Sequence, residues 1–315
     1  MRYLPLTVLA LAGAAHATEV PVPAVEPTPE STVAFYSDPS ARLTLPIAIG
    51  GKGPYRFLVD TGSERTILSQ ELAAVLALQA GKPVRLLTVT GSSEVGTVTV
   101  PTLDFGKQQR MKGFSAPLLR AHAIGAVGLL GIDSLEQQQV IFDFKALTMS
   151  MSRSRPSDMR RHDPDEIVVT ARKRLGRLVL GEASVERQRV EVVLDTGAEL
   201  TIGNEALRRK LIERRKLTPI GKVVLTSVTG EPLTLDYGIV RDFALGNVRM
   251  KNVRIAFGDV KPFAALRLDD RPAVLLGMET LKLFSRVSVD FANRRVRFQM
   301  PGMSQRGIET QLAGL

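Results

Sequence analysis

The sequence has no cysteine and no tryptophan, only 3 histidines, and aromatic residues at just 5%. Without cysteine there can be no disulfide, thiol nucleophile, thiolate metal site or cysteine-borne lipid anchor. His16, His122 and His162 have no metal-ligand spacing. A Gly-x-Ser-x-Gly elbow is missing, so a serine hydrolase reading has no anchor. The few aromatics do not interleave with the basic clusters, which argues against nucleic-acid binding despite a net charge of +10. Apolar runs of the roughly 20 residues needed to span a bilayer are also absent.

One shorter apolar run opens the chain. Met1-Arg2 is basic, Leu4 to Gly13 is mostly apolar, and Ala15-His16-Ala17 has the small-x-small form of a cleavage site. Residues 1–17 therefore read as a secretory signal peptide, which predicts an exported protein, of the periplasm of a Gram-negative bacterium or otherwise secreted. Pro21, Pro23, Pro27 and Pro29 make 18–40 an extended arm. The rest divides into an N-terminal lobe at 41–151, a polar, basic, turn-rich linker at 152–174, a C-terminal lobe at 175–301 and a tail at 302–315. Basic clusters at Arg153-Arg155-Arg160-Arg161, Arg172-Lys173-Arg174 and Arg208-Arg209-Lys210 read as solvated loops and helix faces. They leave room for weak contact with an anionic membrane surface. A monomer is expected.

The two lobes carry one pattern written twice. Phe57-Leu58-Val59-Asp60-Thr61-Gly62-Ser63-Glu64-Arg65-Thr66-Ile67 matches Val192-Val193-Leu194-Asp195-Thr196-Gly197-Ala198-Glu199-Leu200-Thr201-Ile202. Leu129-Leu130-Gly131-Ile132-Asp133-Ser134-Leu135 matches Leu275-Leu276-Gly277-Met278-Glu279-Thr280-Leu281. Val140-Ile141-Phe142-Asp143-Phe144 matches Val287-Ser288-Val289-Asp290-Phe291. Three matched blocks in one order mean a duplicated domain. Each copy reads mainly as β, with strands at Leu43–Ile49, Tyr55–Val59, Val84–Thr90 and Val95–Val100 in the first. Gly50-Gly51-Lys52-Gly53-Pro54 is a hairpin turn rather than a phosphate loop, because a proline and a strand follow it. Short helices are predicted at Ser69–Leu78 and Asn204–Arg215.

One Asp-Thr-Gly is a weak signal, but two in matching contexts are a strong one. Two nearby carboxylates cannot both ionise readily, so they share a proton, and the pair can act as base and acid at once. Asp60 and Asp195 are the candidates for catalysis. Gly62 and Gly197 are expected to turn the chain sharply and admit backbone amides to the carboxylates, and Thr61 and Thr196 to bond across the lobe interface. Ser63 is expected to hydrogen-bond Asp60 where Ala198 cannot do so for Asp195. That makes Asp60 the more easily ionised member and Asp195 the carrier of the shared proton.

With both copies in view, the chain resembles retropepsin-like and pepsin-like aspartic proteases, most of all exported bacterial members with two retropepsin-type halves in one chain. The resemblance covers roughly Ala41–Met151 and Leu175–Met300. It implies an all-β fold of two pseudo-twofold barrel lobes around a cleft. It also implies support of the Asp-Thr-Gly loops by Leu130-Gly131 and Leu276-Gly277, and no metal or cofactor. Hairpin flaps that close over substrate fall at Val89-Thr90-Gly91 and Val228-Thr229-Gly230, without the tyrosine of pepsin-type flaps. Asp133, Glu279, Asp143 and Asp290 read as helix caps or turn stabilisers. Glu64 and Glu199 read as surface or loop-bonding residues first, with a supporting role beside the site as the alternative. Glu166-Ile167-Val168-Val169-Thr170-Ala171-Arg172, with Lys173-Arg174 after it, resembles the segment by which TonB-dependent receptors engage TonB, but the preferred reading is the first strand of the second half or an interdomain strand. The expected function is aspartic endopeptidase cleavage of exported envelope proteins; the alternative is a non-catalytic peptide-binding module on a protease-like scaffold.

Overall fold

A computed structural model describes residues 44–105, 109–155, 166–174 and 176–301, with the backbone of three short strands before them. Those three are β1 (Leu6–Thr7), β2 (Leu11–Ala12) and β3 (Thr32–Ala34). The N-terminal lobe holds β4 (Thr44–Ile49), β5 (Lys52–Val59), β6 (Ile67–Ser69), α1 (Gln70–Val75), β7 (Ala80–Leu87), β8 (Ser92–Phe105) and β9 (Gln109–Leu119). It continues with α2 (Ala121–Ile124), β10 (Gly128–Leu130), α3 (Ile132–Leu135), β11 (Gln138–Asp143) and β12 (Thr148–Arg153). The C-terminal lobe repeats the series as β13 (Glu166–Arg174), β14 (Arg177–Val185), β15 (Gln188–Leu194), β16 (Ile202–Gly203), α4 (Glu205–Glu213) and β17 (Leu217–Ser227). It ends with β18 (Pro232–Leu245), β19 (Val248–Phe257), α5 (Lys261–Ala265), β20 (Ala273–Leu276), α6 (Met278–Leu281), β21 (Arg286–Asp290) and β22 (Arg295–Gln299).

Alternation explains the first strand: Leu45, Ile47 and Ile49 of β4 point inward, while the residues between them are part-exposed. Phe57, Leu58 and Val59 are all buried because β5 becomes a central strand before Asp60. In the N-terminal lobe the order β8-β4-β5-β10-β6-β9 closes through a β8–β9 pairing into a six-stranded barrel. The C-terminal lobe follows the same path, β18-β19-β16-β20-β15-β14, closed by β14 on β18. Closure leaves neither ring an unpaired edge. Each helix predicted from sequence forms behind a capping residue: Ser69 Oγ accepts from Leu72 N, and Asn204 Oδ1 accepts from Leu207 N. The predicted strand at Val84–Thr90 begins earlier and ends sooner, because residues 88–91 form the tip of the β7–β8 hairpin.

The lobes share a third sheet. β11 pairs antiparallel with β21 from Gln139↔Asp290 to Asp143↔Arg286, and β12, β3, β22 and β13 extend it on either side. Arg286 donates to Asp143 Oδ2 at 2.7 Å, and Ser154 Oγ donates to Asp290 Oδ1 at 2.6 Å, so both repeated aspartates tie the copies together. Residues 166–174, part of the sequence-predicted linker, are strand: Glu166–Thr170 pairs with β22 and Ala171–Arg174 with β14. A partner strand seeking the Glu166–Arg172 segment would meet one already paired within the protein.

Candidate active site

Asp60 ends the approach of β5 and Asp195 that of β15, and both are fully buried. In each loop one carboxylate oxygen is held by the amides that follow it. Asp60 Oδ1 accepts from Gly62 N at 2.7 Å and Ser63 N at 3.1 Å; Asp195 Oδ1 accepts from Gly197 N and Ala198 N, each at 3.1 Å. Their backbone amides donate to the carbonyls of Leu130 and Leu276 at 3.0 and 3.1 Å. The Leu-Leu-Gly blocks therefore anchor the loops they were predicted to support.

Thr61 and Thr196 join the loops across the lobe boundary. Thr61 Oγ1 donates to Leu194 O at 2.9 Å and accepts from Thr196 N at 3.0 Å. Thr196 Oγ1 donates to Val59 O at 2.8 Å and accepts from Thr61 N at 3.1 Å. These four reciprocal bonds fix the two aspartates relative to one another.

The glycines turn the chain and bring their amides to the carboxylates as expected, and they have a second role as well. Neither Gly62 nor Gly197 has a positive φ. A Cβ on Gly62 would lie 2.7 Å from Asp195 Cγ, and one on Gly197 would lie 2.5 Å from Asp60 Oδ1. Each glycine faces the opposite lobe's carboxylate, and the close approach of the dyad demands it. Gly131 and Gly277 are similarly confined, with Arg65 N 2.8 Å and Ala198 O 3.1 Å from where a Cβ would stand.

The Ser63 expectation is also corrected. Its hydroxyl donates to Arg65 O at 2.7 Å, and only its amide serves Asp60, as the Ala198 amide serves Asp195. Burial dominates the electrostatics of the pair. Burial first, and then the charge of Asp60, push the Asp195 carboxyl well above its ordinary range, against the pull of Arg177 and two amides. Arg177, at the start of β14, is fully buried; burial lowers its pKa, opposed by the charges of Asp195, Glu64 and Asp60. Glu64, partly exposed, thus acts on the site through its charge on Arg177, the alternative its repeat position had left open.

Sequence reasoning missed Arg177, yet a signal exists. Arg177-Leu178-Val179-Leu180 repeats Arg42-Leu43-Thr44-Leu45, and each arginine stands 18 residues before its lobe's aspartate. It also missed the work of Thr66 and Thr201, although both lie in the repeat. Thr66 Oγ1 accepts from Gly131 N and Thr201 Oγ1 from Gly277 N, both at 3.1 Å. Asp133 accepts from Thr66 N at 2.9 Å and Thr66 Oγ1 at 2.7 Å, so it stabilises this junction. Glu279 instead pairs with Arg254 at 3.2 Å.

The candidate flaps are the tips of the β7–β8 and β17–β18 hairpins. Their valines exchange lobes. Val89 is buried in an apolar cluster of the C-terminal lobe with Val193, Ile202 and Phe263. Val228 is buried in one of the N-terminal lobe with Leu58, Ile67 and Leu129. Lys261 N donates to Val89 O at 3.2 Å. Between the tips, Glu231 accepts from Thr90 Oγ1 at 2.5 Å and Thr229 Oγ1 at 2.6 Å. Gly91 and Gly230 complete the turns, with Thr88 N donating to Gly91 O and Gly230 N to Ser227 O, each at 2.8 Å.

The strands β1 and β2 meet both candidate flap strands. Leu6-Thr7 pairs in parallel with Leu86-Leu87, and Leu11-Ala12 pairs antiparallel with Thr226-Ser227. A single chain crossing a twofold axis must meet its symmetry-related strands in opposite senses, and this one does.

No curated protein matches the chain. Among solved structures it is similar to a retropepsin-like aspartic protease from Rickettsia conorii, at 20% identity and a TM-score of 0.30 over 43% of this chain and 90% of that one. The sequence profile described as "Aspartyl protease" matches twice, over residues 45–134 and 169–280, once in each lobe. With more than half of its length matched, the chain belongs to the aspartyl protease family.

Proposed function

We propose that the protein is an aspartic endopeptidase that hydrolyses extended polypeptides with water activated between Asp60 and Asp195. One observation carries the reading: two buried carboxylates, one from each copy, locked together by the reciprocal threonine bonds. In the reaction, ionised Asp60 takes a proton from water as its oxygen attacks the peptide carbonyl carbon. Protonated Asp195 gives its proton to the carbonyl oxygen. Collapse of the tetrahedral intermediate then breaks the C–N bond. The proton held by Asp60 passes to the departing amine and one hydroxyl of the intermediate returns its proton to Asp195, which leaves a carboxylic acid and the starting dyad.

The pairing of Leu6-Thr7 and Leu11-Ala12 with the two flap strands supports an extended peptide as the occupant. Removal of the leader after Ala17, as its sequence predicts, would leave that track to substrates. We place the mature protein outside the cytoplasm, where such substrates would be exported envelope polypeptides.

The test is digestion of a diverse peptide library, from about pH 3 to 7, by the mature chain and its Asp60→Asn and Asp195→Asn variants. Cuts made by the parent and lost in both variants support the proposal. Retention of a peptide ligand without any cut by the parent would instead identify a binding module.

A further inference from the structure

We infer that the outer corner formed by α4 and residues 217–224 of β17 is a docking surface for an anionic lipid bilayer. Five large apolar side chains of the described residues are exposed, and three of them fall within 13 residues of sequence: Ile212 at 49%, Ile220 at 45% and Val224 at 61%. The same stretch carries Arg214, Arg215, Lys216 and Lys222, all exposed, and Arg209 precedes it on the helix.

Ion pairs show that the two elements form one surface. Asp236 of β18 holds Arg208 of α4 at 2.7 Å and Lys222 of β17 at 2.8 Å. Ile212 lies one helical turn beyond Arg208, on the same side of α4. Val224 lies two residues beyond Lys222, on the same outward face of β17, while Val223 and Leu225 between and beyond them pack inward. Ile212 and Val224 therefore flank a common polar bridge.

Charge selects the partner. Arg208, Lys210 and Lys222 are neutralised by Glu205, Glu213 and Asp236. Arg209, Arg214, Arg215 and Lys216 make no ion pair among the described residues, which leaves four uncompensated cations around exposed aliphatic groups. Cations draw a surface to anionic headgroups, and aliphatic side chains gain by entering the boundary between headgroups and acyl chains. A soluble polyanion would use the cations and leave Ile212, Ile220 and Val224 in water. The combination fits a bilayer. Because β17 runs directly into the Val228 flap, docking here would hold the substrate entrance beside the membrane.

The test is vesicle flotation of the full mature chain with phosphatidylcholine alone and with phosphatidylcholine containing phosphatidylglycerol. Binding is expected only to the anionic vesicles and is expected to weaken with salt. The variant Arg214→Gln/Arg215→Gln/Lys216→Gln should lower partitioning roughly a hundredfold, at roughly fivefold per cation. The variant Ile212→Ser/Ile220→Ser should also lower it. Cleavage of a soluble peptide should be unchanged in both, which shows that they remain folded. Absence of flotation overturns the inference. So does flotation that the serine variant leaves unaltered, or equal retention on heparin, since either would identify a polyanion site without insertion.

Discussion

If substrate reaches the dyad only after the flap valines leave the opposite lobes, trimming either valine should speed binding. Val89 and Val228 are each 2% exposed. Burying a valine contributes roughly 1.5–3 kcal/mol, so withdrawing the pair costs about 3–6 kcal/mol before the Glu231 bonds are considered. At the lower end the open form is populated below about 1%. A Val228→Ala change removes two buried carbons, about 1.6 kcal/mol at roughly 0.8 kcal/mol each. If opening precedes binding, the open fraction rises roughly fifteenfold, and the apparent association constant rises with it. The assay is stopped-flow binding of a fluorescent transition-state peptide inhibitor to the parent, Val228→Ala, Val89→Ala and the double variant. Each single variant should accelerate association about tenfold, with a smaller further gain in the double variant as the open form ceases to be scarce. Association rates that stay at the parental value while thermal stability falls by the same 1.6 kcal/mol or so would refute the reasoning. The valines would then be ordinary core residues.

Other expectations follow from the site's electrostatics and tight contacts. Asp195 has a folded pKa above its ordinary 3.8, so the folded chain binds that proton more tightly than the unfolded chain. Its contribution to stability is fully present below the unfolded pKa and is lost as pH rises through the folded value. Asp195→Asn should accordingly melt higher than the parent at neutral pH, by roughly 2–6 °C, with the gap closing toward pH 3; calorimetry across pH checks this. Arg177→Met removes the cation that opposes Asp195 protonation, so the upper limb of the kcat/KM pH profile should move to higher pH. A limb that stays put or moves down would contradict the assignment. Gly197→Ala drives a methyl into Asp60 and should lower kcat by roughly a hundredfold or more. A synthetic peptide of residues 4–13 should inhibit the mature chain competitively; a Ki no better than that of a scrambled peptide would count against the track along β7 and β17.

The dyad and its scaffold were legible because duplication marks them twice. Asp60 and Asp195, the threonines beside them and the Leu-Leu-Gly blocks all recur in one order, and the structure brings them into one network. The starts of α1 and α4 were legible from their place after each repeat block, and in the structure Ser69 and Asn204 cap them. The second role of the glycines and the role of Ser63 were less accessible. Gly62 is constrained by a carboxylate 133 positions away in sequence, and Ser63 Oγ had a carbonyl two residues on as a competing partner. Pattern could show that Val89 and Val228 sit in hairpin turns, but not that each is buried by the other lobe, because only the docked pair of barrels creates that environment. β13 was legible as a strand from its apolar, β-branched run, although the segment was also assigned to the linker; its partner was not legible, because that pairing depends on β22, more than a hundred residues later.

The threonine bonds across the lobe boundary mean that neither half holds a finished catalytic loop alone. In an enzyme assembled from two separate copies, such a bond network would exist only above the association constant, and dilution would dismantle it. Here β11 and β21 bring the copies together within one chain, so assembly is intramolecular and independent of concentration. A change in one half is also no longer imposed on the other. Ser63 opposite Ala198, and Glu231 of one flap tip receiving Thr90 of the other, are differences that a symmetric pair of identical chains could not evolve on one side only.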